Sequence, residues 1–474
     1  MRKIFIASFL ILSAFSSVFA SQLSELYTFE SGFYPRGLVI ADIDGDGKNE
    51  VVVANFGEDT LIGQENDAEP SPSITVFSTS GVRTLRSGLC PRGLAAAFID
   101  GDKLMDFAAT NYADGTITIY TNNGSNLHTL QAGKHPVGID IGDLTGNGEA
   151  DIAAAVYSEN KAVIFSRDIN GRWAKKEIAV PGSPTDVVIG TLDNERVLVT
   201  ANYGAASVSV IKIDNGMPVK LYDLASGNGP CKLEIADVTG DGKNELVISN
   251  FHDNTVSIAQ TGADGKLFVS STLKLNGSRP NGMAVGDIDN DGVPEIITAN
   301  RDSDTIDILA RNASGVYEVS LTITVTGDEK KDYGPVEVVI GDINHDGLVD
   351  IAFTHMRSNT LRILYQRPSE NGGKPKFVEA MSEHNVYNFP NPASDKTTIR
   401  FSADKKADVT ITVYNASGSV VWEKKIGFAS VVEGVNYCEW DLRDKNSRKV
   451  PNGAYVVKVS DGTVVVTKKI AVLK

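Results

Sequence analysis

A proline-headed segment recurs seven times along this chain. The heads are Pro35, Pro91, Pro136, Pro184, Pro230, Pro280 and Pro335, and in each copy a loop starts seven residues later, at Asp42, Phe98, Asp143, Thr191, Asp237, Asp287 and Asp342. Successive heads stand 56, 45, 48, 46, 50 and 55 residues apart. A period of about 50 residues means one supersecondary unit per repeat, each burying its apolar face against the next. Inside the first unit, Leu38–Ala41, Glu50–Asn55, Ile74–Phe77 and Val82–Ser87 read as four short strands, and Glu245–Asn250, Val256–Ala259 and Leu267–Leu275 repeat the order. Asp59-Thr60, Asn254-Thr255, Asp304-Thr305 and Asn359-Thr360 punctuate the second and third strands with turn residues. Four strands per unit and seven units predict an all-β fold, a seven-bladed β-propeller over residues 21–380. A closed ring protects sheet edges that an open array would expose. Two segments compete to complete the last blade, Leu26–Gly32 and Lys376–Ala380; the expectation is that Leu26–Glu30 fastens the ring.

The loops after the first strand carry chemistry. Their pattern, D-x-D-x-D-G-x-x-E/D, sets three carboxylates at alternating positions, a Gly at the sixth and a fourth carboxylate at the ninth. Converging hard oxygens suit Ca²⁺, which takes six to eight of them. An EF-hand needs a Glu at position twelve, where the first and sixth loops have Val53 and Thr298. About five calcium sites are expected. Two are full sets: Asp42, Asp44, Asp46 and Glu50, and Asp287, Asp289, Asp291 and Glu295. Asp237, Thr239, Asp241 and Glu245 form another, as do Asp342, Asn344, Asp346 and Asp350, while Asp143, Thr145, Asn147 and Asp151 carry fewer charges. Repeat two has Phe98 at the first position and Lys103 in place of the Gly, and repeat four is shortened through Asp193 and Glu195, so neither is expected to hold metal. The ion reads as structural, stabilising the fold by mass action.

The run Asp42-Ile-Asp-Gly-Asp-Gly-Lys-Asn-Glu50, followed by Val-Val-Val-Ala-Asn55, resembles the FG-GAP/VCBS repeats of integrin α-subunit propellers and many bacterial surface proteins. The resemblance covers roughly residues 22–380. It implies a calcium-stabilised propeller whose ligand face lies opposite the metal loops, and no particular reaction.

On that opposite face, Asn55-Phe56, Asn111-Tyr112, Asn202-Tyr203 and Asn250-Phe251 recur after the second strand, with Tyr157 in the same place and Arg301 and Met356 breaking the pattern. The turns before the first strands add Tyr34, Arg36, Arg92, His135, Lys232, Arg279 and Asn281. A ring of aromatic and cationic groups at a channel mouth suits a glycan or an acidic ligand. The competing reading is that the aromatics pack between blades and the Asn side chains cap turns. The acidic loop Gly57–Ser73 is either a specificity loop or an idle insertion.

After a linker over 381–387 the pattern changes. Thr397–Ser402, Val409–Asn415, Val420–Lys425, Asn436–Leu442, Ala454–Ser460 and Val464–Val472 read as an Ig-like β-sandwich over 388–474, with Asp461-Gly462 as a hairpin turn. Asn388-Phe-Pro-Asn-Pro392, Val413-Tyr-Asn-Ala-Ser-Gly418, Trp440-Asp441, Pro451-Asn-Gly-Ala-Tyr455 and Lys468-Lys-Ile-Ala-Val-Leu-Lys474 resemble the C-terminal sorting domain of the type IX secretion system. The flagellar hook-capping Ig-like module looks similar, and an ordinary Ig-like accessory module is the plain alternative. The sorting-domain resemblance implies the type IX machinery as a partner, export across an outer membrane, and removal of the domain with surface anchoring or release.

The start of the chain fits export. Arg2 and Lys3, the apolar run Ile4–Phe15 and Val18-Phe19-Ala20 read as a signal peptide, 1–20, cleaved before Ser21. No later segment is apolar enough for a transmembrane anchor. A net charge of -15 lacks the basic footprint of a nucleic-acid binder. Three Cys make no disulfide framework, and Cys90 and Cys231, in equivalent turns of blades two and five, read as small buried thiols. The six His fall in no zinc or metalloprotease spacing, and no nucleophile elbow or phosphate loop occurs. No catalytic set stands out. The reading is a secreted or outer-surface propeller, monomeric, that binds or adheres to glycan or protein ligands. A polysaccharide lyase or hydrolase working at the channel mouth, and a purely structural surface module, stay open beside it.

Overall fold

The first six proline-headed repeats each form a four-stranded antiparallel sheet in sequential order, as in Pro35–Ala41, Glu50–Asn55, Ser73–Ser78 and Gly81–Arg86, and the seventh supplies three strands of a like sheet. Proline opens every first strand, where its missing N–H does least harm to the ladder, and the pairing register shifts just after it in all seven. Such bulges raise the local twist. The computed structural model describes residues 23–57, 72–366 and 387–473, apart from breaks at 80, 122, 169, 313, 326–333, 390–392, 394–395, 404–407, 428–429, 432–433 and 463–464. The leader 1–20, the insertion 58–71, Lys376–Ala380 and the linker 381–386 lie outside the described residues.

The second strands explain the packing. Glu50–Asn55, Asp106–Asn111, Asp151–Val156, Glu245–Asn250, Glu295–Asn300 and Asp350–His355 are buried at every position. Such a strand is covered on both faces, so it reads as a continuous small and β-branched run. Outermost strands alternate instead, as Gly81–Arg86 and Met217–Ala225 do. Seven apolar clusters each bridge two blades. One joins Val52 and Ile74 to Phe107 and Tyr120 across blades one and two. The others follow around the ring to the cluster that packs Leu38 and Val53 of blade one against Ala352 and Leu361 of blade seven. The propeller is therefore closed. Its clasp is Leu23–Glu30, the fourth strand of the last sheet, with Tyr27 opposite Ile363 and Glu30 opposite Thr360.

The chain divides into two compact units, 1–366 and 367–474. The second is a β-sandwich. One sheet holds Tyr387–Phe389, Thr397–Ala403 and Gly434–Trp440; the other runs Val420–Ile426, Val409–Tyr414, Gly453–Ser460, Val465–Val472. Fully buried Trp440 centres its core, with Tyr455 edge-on at 5.6 Å and its indole N–H donating to the Arg443 carbonyl at 2.9 Å. No helix among the described residues is long and apolar enough to cross a membrane.

Candidate functional site

The acidic loops hold their own shape before any ion is considered. Asp42 accepts the Gly45 N–H through Oδ1 at 2.8 Å and the Gly47 N–H through Oδ2 at 3.0 Å. Asp143, Asp237, Asp287 and Asp342 likewise accept the N–H of the sixth-position glycine. Those glycines, Gly47, Gly148, Gly242, Gly292 and Gly347, sit at φ of 82–86°, which a side chain disfavours. The ninth-position carboxylate reaches back to the loop's start. Glu50 Oε2 accepts the Ile43 N–H at 3.1 Å, and Glu245, Glu295 and Asp350 repeat the bond with Val238, Ile288 and Ile343.

These residues fit a hard divalent cation. Asp42, Asp44 and Glu50 bring carboxylate oxygens within 4.8 Å of one another, as do Asp287, Asp289 and Asp291. Buried Glu50 Oε1 and Asp151 Oδ1 have no hydrogen-bond partner, an arrangement a cation would satisfy. Burial, reinforced by the neighbouring aspartates, pushes Glu50 up to about 7 and Glu295 and Asp350 up to about 8. The other loops differ in detail. In the third, the Arg196 guanidinium lies 3.5 Å from Asp143. In the fifth, Thr239 donates its hydroxyl to Glu245 at 3.2 Å. In the seventh, Asn344 donates to Asp346 and Asp350 Oδ1 takes the Gln366 N–H.

Repeats two and four depart from the pattern in different ways. In repeat four, Asp193 and Asn194 at φ of 46° and 66° close a two-residue hairpin where the other repeats carry the longer loop. Repeat two, set aside for its Phe98, nonetheless gathers Asp100, Asp102 and Asp106 within the same 4.8 Å, and Asp106 Oδ1 is buried without a partner. The signal was in the sequence. Those three occupy the third, fifth and ninth positions, so the convergence survives with Phe98 in the first place.

At the other ends of these strands a common turn builds the channel mouth. The residue before each head proline adopts φ of 51–60° at Tyr34, Cys90, His135, Ser183 and Arg279. Its carbonyl accepts the N–H of the residue after the second strand: Tyr34 from Phe56, Cys90 from Tyr112, His135 from Tyr157, Arg279 from Arg301, all at 2.9–3.1 Å. Left-handed backbone at a non-glycine residue costs of order 1 kcal/mol, and blade-to-blade bonds hold it. Asn359 Oδ1 takes the Tyr34 N–H and Asn254 Oδ1 the Arg279 N–H, at 2.9 and 2.8 Å. The recurrent asparagines are structural. Asn55, Asn111, Asn202 and Asn250 are buried and donate to hydroxyls of the third strand.

Nine of the expected ligand residues line one cavity of about 330 Å³: Arg36, Arg92, Tyr112, Tyr157, Tyr203, Lys232, Phe251, Asn281 and Arg301. Three do not. Phe56 is buried beneath Arg36, His135 stacks on Tyr112 at 4.3 Å and bonds Ser158, and Tyr34 stands outside the lining. Packing and lining both occur: Phe56 meets Tyr112 at 5.8 Å and Tyr203 meets Phe251 at 6.0 Å, ring to ring across neighbouring blades.

Of the cavity floor, sequence reasoning singled out Lys232 alone. Two residues after the head prolines stand Gly37, Gly93, Gly138, Asp186, Lys232, Gly282 and Glu337. A Cβ on Gly138 would lie 2.4 Å from Asp186 Oδ1, and one on Gly282 2.7 Å from the Glu337 Cα. The glycines let the inner strands close in around the charged side chains. Lys232 Nζ lies 3.5 Å from Glu337, Asp186 Oδ2 takes the Leu233 N–H at 2.9 Å, and Asp140 Oδ2 takes the Ile189 N–H at 2.6 Å. Burial pushes Glu234 up to about 8, Glu337 to about 7 and Asp140 to about 6, with Lys232 pulling the other way in each case.

Comparison with known proteins agrees with this architecture. Residues 237–298 match the family model of the FG-GAP-like repeat, and residues 387–473 that of the secretion system C-terminal sorting domain. Among solved structures, virginiamycin B lyase from Staphylococcus aureus is similar at 15% identity and a TM-score of 0.50, over 72% of this chain and 98% of that one. BBS1N, in its complex with ARL6DN, is similar at 13% identity and a TM-score of 0.53, over 74% of this chain and 98% of that one. At such identities the likeness is one of fold. The chain is thus a seven-bladed β-propeller that carries an FG-GAP-like repeat over 237–298 and a secretion-system C-terminal sorting domain over 387–473, the latter the mark of a protein exported by the type IX route to the cell surface or beyond it.

Proposed function

We propose that this exported propeller binds a glycan or protein ligand at its channel mouth, with calcium in the loops at the opposite ends of the strands stabilising the ring. The observation that carries the reading is the convergence of aromatic faces and cationic or amide donors from six blades, one to six, on a single cavity. Pockets that hold ligands pair apolar or aromatic walls with a few placed polar groups. The calcium role rests on the fit of the first and sixth loops described above. Adhesion is the physiological use such a surface site would serve.

The test is a glycan and polysaccharide array probed with the full chain, in calcium and then with excess chelator. Saturable binding that weakens on chelation is the expected result. Hits are then incubated and examined for shortened or unsaturated products. Product would replace binding by the lyase or hydrolase reading. A folded, calcium-loaded sample that binds nothing on the array, nor any peptide or protein offered in the same format, would leave the structural-module reading in its place.

A further inference from the structure

We infer that the mouth selects an anionic group, seated among Arg36, Arg92 and Arg301, and that the Tyr203 hydroxyl donates the orienting hydrogen bond. This rests on the binding role proposed above and names the ligand chemistry.

The first argument is the inventory of donors. Guanidinium and ammonium groups donate and never accept. Three of the lining groups are guanidiniums held against rings: Arg36 over Phe56 at 5.0 Å, Arg92 over Tyr112 at 5.4 Å and Arg301 over Phe251 at 4.8 Å. Stacking engages the flat face of a guanidinium, and its N–H edge is the part that matches a carboxylate or sulfate. The acidic side chains that share the mouth each face a basic or amide partner of their own. Asp302 takes the Arg301 Nε–H at 2.9 Å and lies 3.6 Å from Arg279; Glu337 faces Lys232, and Asp186 holds the Leu233 N–H.

The second argument is a chain of three side chains. An Arg279 guanidinium nitrogen lies 2.7 Å from His252 Nδ1, and His252 Nε2 lies 2.8 Å from the Tyr203 hydroxyl. Arginine can only donate, so Nδ1 accepts and the imidazole proton resides on Nε2. That proton points at the Tyr203 oxygen. The tyrosine's own proton must go elsewhere, and Tyr203 lines the cavity. Burial, the largest influence on it, raises the Tyr203 phenol above its usual range, which keeps the proton in place. Tyr203 is therefore aimed as a donor and not as a base. His252 and Arg279 are positioning residues.

The test uses the full chain in calcium and four probes by titration calorimetry: polygalacturonate, its fully methyl-esterified form, dextran sulfate and dextran. The expected result is that a charged polymer binds at least about tenfold tighter than its uncharged counterpart, and that the difference shrinks as salt rises. Polygalacturonate against dextran sulfate tells carboxylate from sulfate recognition. Tyr203→Phe should weaken binding about tenfold, the size of one hydrogen bond to a charged group, with an unchanged melting midpoint. Arg279→Met should do the same and shift the imidazole nitrogen signals of His252 away from the Nε2-protonated form, while Arg279→Lys, which still donates, retains both. Equal affinity for charged and uncharged polymers overturns the inference and leaves the binding role standing. An unaltered Tyr203→Phe titration removes the tyrosine from it. Silence from all four polymers overturns the inference, and a silent array alongside overturns the binding role too.

Discussion

Replacing Lys232 with Met tests whether the channel floor is an electrostatic unit. Lys232 stands among Asp140, Asp186, Glu234 and Glu337, whose burial raises all four above the usual carboxylate range. Removing one partner of a buried pair costs about 3–5 kcal/mol. The lysine side chain is 26% accessible, so the lower end, ~3 kcal/mol, applies. Unfolding entropy of about 2.1 cal/mol/K per residue over roughly 340 propeller residues gives ~0.7 kcal/mol/K, so the midpoint should fall by about 4 °C. The sign with pH is specific. An acid whose folded pKa is raised loses folded-state stability as pH climbs through that value. The Lys232→Met loss should therefore be small near pH 5, where Glu234 and Glu337 are protonated, and full above about pH 8. Differential scanning calorimetry of both proteins in calcium at pH 5 and pH 8.5 measures it. Equal losses at the two pH values would refute the reasoning and reduce Lys232 to a space-filler.

Three further outcomes follow from the same geometry. Excess chelator should lower the propeller's midpoint by at least about 4 °C, since one site at a hundredfold excess over Kd contributes ~2.7 kcal/mol; an unchanged calorimetric trace would remove calcium from the loops. Gly138→Ala should destabilise by about 1–3 kcal/mol, because its Cβ meets the Asp186 side chain and backbone at 2.4 and 2.6 Å and the Thr185 carbonyl at 2.7 Å; chemical denaturation of the full chain reads it, and a neutral result would mean the inner strands are not tightly apposed. Trp440→Ala should cost the sandwich about 3–5 kcal/mol through the lost burial of a fully enclosed indole, read as early protease cleavage within 387–473 while the propeller's melting is unmoved.

The fold was legible because repetition states the same instruction seven times. The head proline, the loop seven residues on and the small, β-branched second strand each locate one blade, and the spare strand at the start has one unfilled edge to join. The loop glycines were legible for the same reason, since position six demands φ > 0 wherever it occurs. What escaped was carried by single blades. Asp100, Asp102 and Asp106 were set aside because Phe98 and Lys103 replace the first Asp and the Gly, yet their carboxylates converge as in loops one and six. Asp186 and Glu337, unlike Lys232 beside them, were not singled out; the three occupy a column that is glycine elsewhere, and only the ring brings blades four, five and seven across one channel. Arg196 beside Asp143, and the path from Arg279 through His252 to Tyr203, join residues that no spacing rule connects. The mouth was found as a ring of residue types; which of them face inward, and that Phe56 and His135 support their neighbours, depends on packing between blades.

The clasp has a consequence for how the molecule comes into being. Glu30 pairs with Thr360, 330 positions later, and among the described residues no other strand occupies that edge. During synthesis or passage through a membrane the leading strand must wait, unpaired, until the trailing blade has emerged. Blades formed meanwhile meet only their nearest neighbours, as in an open stack, and the longest loop closure falls last, where its entropy is hardest to recover. Deleting Leu23–Glu30 would leave the last sheet with three strands and the Thr360–Gln366 edge unpaired, with only the apolar contacts between blades one and seven to hold the ring shut.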